Sequence, residues 1–428
     1  MTTPELSCEQ TTLDNGLQLL VVPMPQIHSV VIEAQLRAGP RYETADECGL
    51  SHFLEHMLYR GTARHPSAHQ QALAFESRGG TLGAATYVDH GTLGIAIPPE
   101  CFEPVLELFG EVFGAPIFDS LEIEKKIVRE EILEGLDDAG NEIDPDTLIR
   151  RLAYGDNSLG RPITGSIARV EAMTREELEA HHRKLYVGEN TVVTVAGRVD
   201  PDQVLRLARE HFRSLPRGAT LKPEQAPQIA DGARFQYVRH ASSQTQLQVA
   251  FHAPGEHSAL EPATDMLLRI LDDGMSTRLY HQICDERGLC YDVSAAYEAY
   301  SDCGLFDISA ESDHERAPEV LSEVLRLLFD LAEHGPTDAE LDKAKTRYGF
   351  QLAELVDHPE EAAEFFGFGC LTGVARTPGA RWERLSSLTR AEVRDAASQL
   401  FRPATLHVVG VGGAKKRQQD ALRSLALG

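Results

Sequence analysis

One pentapeptide in the sequence combines residue types that bind metal ions and move protons. It is His52-Phe53-Leu54-Glu55-His56, whose order His-x-x-Glu-His is the reverse of a common zinc-binding motif. On a helix, with about 100° per residue, His52 and His56 lie one turn apart on the same face, and Glu55 projects beside them. Two imidazoles can then chelate one ion while a carboxylate reaches its bound water. We therefore predict a zinc site on a helix.

A catalytic zinc site uses three protein ligands and keeps one position open for water, so a third ligand must come from elsewhere in the chain. The acidic segment SLEIEKKIVREEILEGLDD, beginning at Ser120, is predicted to be a helix. In it, Glu124 and Glu131 are seven residues apart and share a face with Ile127 between them. A carboxylate on an otherwise apolar face needs a partner, so both residues are candidates.

His-x-x-Glu-His followed by a Glu about 75 residues later resembles the pitrilysin and insulinase-like metallopeptidases, a family that includes the mitochondrial processing peptidases. The resemblance covers nearly the whole chain. It implies that Glu131, which closes the pattern IVREEI, is the distal zinc ligand and that Glu124 supports the site. Glu130 is one residue out of phase, and Glu134 is a further alternative.

The resemblance also implies an activity, which is zinc-dependent endopeptidase hydrolysis of short or unfolded peptides with one zinc ion per chain. Zinc lowers the pKa of its water toward about 7 and polarises the scissile carbonyl. Glu55 then takes the proton and passes it to the leaving amine. Because His52 and His56 must be neutral to bind the ion, activity is expected to fall in acid. Chelators are expected to abolish it.

The family presents a sheet edge to its substrate. The matching strand here is GGTLGAATYV from Gly79, with Gly83 and Ala84 as the candidate substrate contacts. The family pattern carries Asn where this chain has Gly83, which changes the contacts to the substrate backbone at that point. An ordinary hairpin strand explains the same residues equally well.

A second element, QICDERGLCYDVS, resembles the segment of the second lobe that supplies an Arg and a Tyr to the substrate. The Tyr is Tyr291, but Cys284 stands at the Arg position. Arg287 is the candidate substitute for that Arg, although it lies in a different phase of the helix. Tyr291 is equally compatible with a plain strand residue. The resemblance also implies that two such chains pair, so we expect a homodimer or a heterodimer. If the pair is incomplete, the resemblance implies that a related subunit supplies the Arg and Tyr.

Composition argues against several other classes of protein. A formal net charge of -25 opposes binding to a phosphate backbone, so no nucleic-acid partner is expected. No stretch approaches the roughly 20 apolar residues of a membrane helix, and we find no secretory signal, so a cytoplasmic protein without a membrane partner is expected. Seven scattered cysteines without Cys-x-x-Cys argue against a disulfide framework or a thiolate zinc site.

The chain is too long for one ordinary hydrophobic core, which predicts more than one domain. Similar segments in its two halves indicate an internal duplication. The segment GAATYVDHGTLGIAI from Gly83 resembles SAAYEAYSDCGLFDISA from Ser294, and TREELEAHHRKLYVGENTVVTVAG from Thr174 resembles TRAEVRDAASQLFRPATLHVVGVG from Thr389. The offsets are about 211 and about 215 residues, near half the chain.

We therefore predict an α+β fold of two similar lobes, each a mostly antiparallel sheet with helices packed on one side. The catalytic zinc-binding lobe is expected at 1–213. A linker rich in Pro, Gly and Ala follows at 214–234, and a second lobe without metal occupies 235–428.

Two other functions remain open. A non-catalytic or partner-dependent subunit that only shapes a peptidase chamber would keep the fold. Such subunits lose ligands or the base, whereas this chain keeps all four residues. A thiol redox protein built on Cys284 and Cys290 is the weaker alternative, because the pair is not a Cys-x-x-Cys motif.

Overall fold

A computed structural model describes residues 6–228, 231–374 and 377–428. The chain divides into two compact units, and neither is continuous in sequence. Unit 1 comprises Met1–Ile132, Pro162–Glu224 and Gln351–Ala380, and unit 2 comprises Leu133–Arg161, Gln225–Phe350 and Arg381–Gly428.

Unit 1 contains one sheet, with the strand order β1-β2-β6-β3-β5-β4. All neighbouring strands in it are antiparallel except β2 and β6, which are parallel. Its strands are β1 (Glu9–Thr12), β2 (Gln18–Pro23), β3 (Val30–Leu36), β4 (Gly83–Thr86), β5 (Gly91–Ile97) and β6 (Thr191–Gly197). The helices in the first half of the chain are α1 (Leu50–Leu58), α2 (Ala68–Glu76), α3 (Phe102–Gly114), α4 (Leu121–Glu134), α5 (Pro145–Tyr154), α6 (Ile167–Ala172), α7 (Arg175–Leu185) and α8 (Pro201–His211).

Unit 2 contains a second sheet, with the strand order β7-β11-β8-β10-β9. Its strands are β7 (Arg234–Arg239), β8 (Thr245–Ala253), β9 (Val293–Ala299), β10 (Gly304–Ser312) and β11 (His407–Gly412). The helices in the second half of the chain are α9 (Glu261–Leu271), α10 (Ala317–His334), α11 (Asp338–Glu354), α12 (Pro359–Thr372), α13 (Pro378–Ser386), α14 (Arg390–Leu400) and α15 (Lys416–Leu427), with a π-helical segment at Tyr280–Asp285. Short 3₁₀ turns occupy Pro40–Tyr42, Ala45–Glu47, Pro99–Cys101, Ser158–Gly160, Gly188–Asn190 and Pro403–Thr405.

The two sheets share one topology. The order β2-β6-β3-β5-β4 in unit 1 recurs as β7-β11-β8-β10-β9 in unit 2, and the first pair of each series is parallel while the remaining pairs are antiparallel. Strand β1 is an addition at one edge of the first sheet. The predicted α+β class with mostly antiparallel sheets is confirmed, and the repeated order is what a duplication would produce.

Each sheet is completed by a helix from the other half of the chain. Helix α5 packs against β8 and β11 in unit 2, and α12 packs against β6 and β3 in unit 1. On α12, Ala362, Ala363 and Phe366 join the apolar cluster of the first sheet that contains Val31 and Val192. The predicted lobes at 1–213 and 235–428 were continuous, whereas the compact units are not, because each of these apolar helix faces is buried on the opposite sheet.

The segment between α8 and β7, which contains all of the predicted linker except Arg234, has no helix or strand in its described residues. Within the described ranges, no helix is both long and apolar enough to cross a membrane. None of the seven cysteines, all of which lie in the described residues, forms a disulfide.

Candidate metal centre

Helix α1 is fixed at its start by a buried carboxylate. Its first N–H groups have no partner within the helix, and Glu43 satisfies two of them. Glu43 Oε2 accepts from the Gly49 N–H at 2.9 Å and Oε1 accepts from the Ser51 N–H at 2.6 Å. Ser51 Oγ lies 3.0 Å from His181 Nε2, and both residues are buried. The chain thus anchors α1 one residue before its first histidine.

The apolar face of α1 sets its rotation. Phe53, Leu54 and Met57 are completely buried in the core of unit 1. With these positions turned inward, His52 and His56 share the face toward α4. Their ring centroids are 4.6 Å apart.

Helix α4 brings Glu131 to the two histidines. His52 Nε2 lies 3.2 Å from Glu131 Oε1, and His56 Nε2 lies 3.4 Å from Glu131 Oε2. One candidate ligand atom from each residue falls within 4.8 Å of the others. Tetrahedral zinc with bonds of about 2.0–2.1 Å separates its ligand atoms by about 3.4 Å, so the donor set and spacing fit zinc.

A second layer orients His56. Its Nδ1 lies 2.8 Å from Glu124 Oε1, which leaves Nε2 free to face a metal ion. Glu124 is only 1% exposed, and its other oxygen accepts from Arg60 Nε. Burial lowers the pKa of His56, but the hydrogen bonds to Glu124 and Glu131 outweigh it and raise that pKa to about 9. A metal ion must therefore displace a proton from His56.

Hydrogen bonds from His52 and His56 hold the pKa of Glu131 well below its usual range, against the opposing effect of burial. This carboxylate is thus ionised, as a metal ligand must be. The Glu131 side chain is 40% exposed, whereas that of His52 is 9% exposed. The cluster is therefore open on the side of Glu131.

Glu55 is held by the terminal strand of the sheet. Thr86 Oγ1 on β4 donates to Glu55 Oε2 at 2.6 Å. Burial, and then the charge of Glu55, raise the pKa of the Tyr59 hydroxyl to about 12. One carboxylate oxygen of Glu55 is thus fixed by Thr86, and the other can act on a proton.

The anchoring role of Glu43 predicts a stability effect. Glu43→Ala should lower the unfolding free energy by about 1–3 kcal/mol, because two buried N–H groups at the start of α1 lose their acceptor. The loss of stability is measured as a lower thermal midpoint of unfolding, and the zinc content of the same purified protein shows whether the metal site is kept. Asp46→Ala is the matched control, since Asp46 lies three residues away and is exposed; its change should stay within about 0.5 kcal/mol. Equal shifts for the two variants would contradict the role of Glu43.

The predicted substrate contacts Gly83 and Ala84 lie on β4, the terminal strand of the first sheet. No strand pairs with its outer edge within the described residues. A Cβ atom at Gly83 would meet only Gly94 O, at 3.9 Å. The space therefore permits the Asn of the family pattern, and steric crowding does not explain the glycine.

The second predicted substrate element belongs to unit 2. Tyr291 is 92% exposed. Arg287 forms ion pairs with Glu319 and Glu323, so its guanidinium is already engaged. Cys284 Sγ lies 3.6 Å from Cys290 Sγ, and burial is the main cause that raises the pKa of both thiols.

Sequence reasoning missed three residues that position the metal cluster. Arg60 had a detectable signal, because it lies four residues after His56 and a continued helix would place both on one face, although α1 ends at Leu58. Glu43 and Thr86 had none, since their partners are distant in sequence and depend on how the strands and helices pack.

Two family models match the chain. The insulinase model, which describes peptidase family M16, matches residues 20–166. The model described as the peptidase M16 inactive domain matches residues 172–348. Together they cover most of both halves of the chain.

Curated relatives span nearly the whole length. An uncharacterized zinc protease of Mycobacterium tuberculosis is 30% identical over 428 residues, which covers 98% of this chain and 97% of the relative. An uncharacterized zinc protease of Bacillus subtilis is 26% identical over 395 residues, with 91% and 95% covered.

Solved structures share the fold. A protease from Helicobacter pylori superposes with a TM-score of 0.85 at 21% identity, covering 96% of this chain and 100% of that chain. A protein described as the peptidase M16 inactive domain, from Pseudomonas fluorescens, has a TM-score of 0.85 at 22% identity with the same coverage. At these identities the structural similarity supports the fold alone.

Proposed function

The chain belongs to the M16 (insulinase) family of peptidases, as its motifs predicted, and from this we propose that it is a zinc-dependent endopeptidase acting on short or unfolded peptides. The observation that carries the proposal is the convergence of His52, His56 and Glu131 in one cluster beside Glu55. Proteins of similar length and sequence are named zinc proteases.

In this proposal one zinc ion per chain would be held by His52 Nε2, His56 Nε2 and Glu131, and when bound it would polarise a peptide carbonyl and lower the pKa of a water toward about 7. Glu55 accepts the proton of the attacking water and delivers it to the leaving amine. Thr86 keeps the Glu55 carboxylate in one orientation through its 2.6 Å hydrogen bond. Glu124 keeps His56 in the tautomer that presents Nε2.

Strand β4 supports the choice of an extended peptide as substrate. Its free outer edge offers main-chain donors and acceptors, and Gly83 and Ala84 lie on it near the catalytic carboxylate. A folded protein has few segments extended and exposed enough to pair there, so unfolded chains and short peptides are the expected substrates.

A partner-dependent form of this function is the second candidate. Cys284 occupies the position where the family places an Arg, and Arg287 is engaged by Glu319 and Glu323. We propose that the chain pairs with itself or with a related subunit, and that in the second case the partner supplies the Arg and Tyr to the substrate.

Metal removal and reloading test the proposal. We expect the purified chain to lose cleavage of a mixed peptide library after treatment with a chelator, because no protein group replaces the metal ion. One equivalent of zinc per chain should restore cleavage, as followed by mass spectrometry of the products with zinc measured alongside.

Cleavage that survives complete metal removal would contradict the zinc mechanism. Zinc binding at one per chain without cleavage, in the absence of a related subunit, would make the partner-dependent form the leading candidate. The control is reloading with magnesium, which prefers oxygen ligands and should not restore activity.

A further inference from the structure

Unit 1 contains a second candidate site, a cavity of about 320 Å³ on the first sheet beside α12. Helix α12 packs mainly against β6 and β3, and the cavity forms where the edge of this helix meets the strands β4 and β5. It is lined by Glu33, Gln35, Gly83, Ala84, Ala85, Tyr87, His90, Thr92, Gly94, Glu364 and Phe368.

The cavity has an excess of hydrogen-bond acceptors. Glu33 and Glu364 contribute carboxylates, and neither has an ion-pair partner in the part of the chain that the structure describes. Gln35 is 2% exposed, and its Nε2 donates to Glu33 Oε1 at 2.5 Å. A carboxylate without a cationic partner is costly when it is partly removed from water, so the cavity is short of donors with positive charge.

One wall of the cavity is formed by aromatic side chains. The Tyr87 and His90 rings stack with centroids 4.3 Å apart, and Phe368 meets His90 edge-on at 5.1 Å. Tyr87 is 48% exposed, so its ring is available to a ligand. Aromatic faces over carboxylates suit a side chain with an apolar stem and a cationic head.

We propose that this cavity is a specificity subsite that takes the Arg or Lys side chain of a peptide substrate, with its cation on Glu33 and Glu364 and its stem along Tyr87. The subsite rests on the proposed peptidase function and deepens it. A guanidinium supplies the donors that the two carboxylates need.

Strand β4 connects this subsite to the candidate catalytic residue. Gly83, Ala84 and Ala85 line the cavity, and the next residue, Thr86, binds Glu55. Alternate residues of a strand point to opposite faces, so Ala85 faces the cavity while Thr86 faces Glu55. A peptide paired with β4 follows the same alternation and can place one side chain in the cavity.

The electrostatics of Glu33 and Tyr87 agree with this arrangement. Burial first, and then the Glu364 charge, raise the pKa of Glu33 to about 7 against the hydrogen bond from Gln35. Burial and then the charges of Glu364, Glu33 and Glu55 raise the pKa of Tyr87. A carboxylate ionised near neutral pH in such surroundings reduces stability, and a bound cation would remove that cost.

The test compares each Arg-containing peptide with its citrulline counterpart, which has nearly the same shape without the charge. Every position of a cleaved peptide is scanned, and the ratio of kcat/KM for Arg to that for citrulline is measured. At one position we expect a ratio of about tenfold to a hundredfold. Glu33→Gln and Glu364→Gln should each reduce it by about tenfold. Glu361→Gln, an exposed change on the same helix, is the matched control and should leave it unchanged.

The same ratio should rise between pH 6 and pH 8 in the wild type, because Glu33 must be ionised to hold a guanidinium and its pKa is about 7. The titratable groups facing Glu33 are Glu364 on α12 and Tyr87 and His90 on the β4-β5 hairpin. Glu33→Gln keeps all three, so it should flatten the rise if Glu33 is responsible. A rise that persists in Glu33→Gln would overturn the role of this residue.

A binding measurement separates failure of the subsite from failure of the peptidase function. Fluorescein-labelled Arg and citrulline peptides are titrated against the Glu55→Gln protein by anisotropy, where no cleavage is needed. Tighter binding of the Arg peptide that Glu33→Gln removes supports the subsite even if the wild type cuts nothing. Equal binding, or cleavage by the wild type with a ratio of one at every position, would overturn the subsite while leaving the peptidase function intact.

Discussion

Glu55→Gln should lower kcat for peptide cleavage by about 10²- to 10⁴-fold while the protein keeps its zinc. The amide cannot accept the proton of the attacking water, whereas His52, His56 and Glu131 are unchanged as a ligand set. Gln has nearly the shape of Glu and can still accept the hydrogen bond from Thr86 through its amide oxygen. The measurements are kcat on a cleaved peptide and the zinc content of the same sample.

The control for this variant is the same chemical change at Glu130, whose side chain is 73% exposed and contacts Arg129 on the surface. Its kcat should match the wild type. A Glu55→Gln protein that retains full turnover, with zinc bound, would show that another group moves the proton. A variant that loses zinc as well would instead assign Glu55 a structural part in the metal site.

The His-x-x-Glu-His motif could be assigned to a helix from the sequence, because the helix period relates residues that are close together in the chain. His52, Glu55 and His56 needed only the helix period to share a face, and the period likewise put Glu124 and Glu131 together on α4. The structure brings both helices to one cluster. The step from two separate helices to one site came from the family resemblance.

The duplication was also readable, because strand-to-helix patterns recur at a nearly constant offset. What the patterns could not supply was the exchange of α5 and α12 between the two sheets. An apolar helix face carries no information about which sheet will bury it, and both sheets have the same strand topology. The lobes were therefore predicted as continuous stretches of sequence, whereas both compact units are discontinuous.

The buried polar contacts of the site were the hardest to anticipate. Glu43 lies eight residues before Ser51, and nothing in the local pattern marks it as the anchor of α1. Gln35 sits in a strand whose neighbours are apolar, and only the placement of α12 next to β3 reveals a cavity around it. Both features arise from tertiary packing, which sequence periods do not encode.

Glu131→Gln should weaken zinc binding by at least about 100-fold, which is the upper range for losing a supporting residue around a metal. The change removes the negative charge and one ligand oxygen that lies 3.2 Å from His52 Nε2. Affinity is measured by competition with a chromophoric chelator at fixed pH. The pH must be fixed because His56 binds a proton that zinc displaces.

Glu130→Gln and Glu134→Gln are the deciding controls, since both residues are acidic, exposed and on the same helix α4. Sequence reasoning left them open as alternative ligands. Neither belongs to the cluster of candidate ligand atoms, so both variants should bind zinc as the wild type does. If either loses zinc while Glu131→Gln keeps it, the third ligand has been assigned to the wrong turn of α4. Loss in Glu131→Gln alone would fix the ligand set as two histidines from α1 and one carboxylate from α4, which leaves one tetrahedral position open for water.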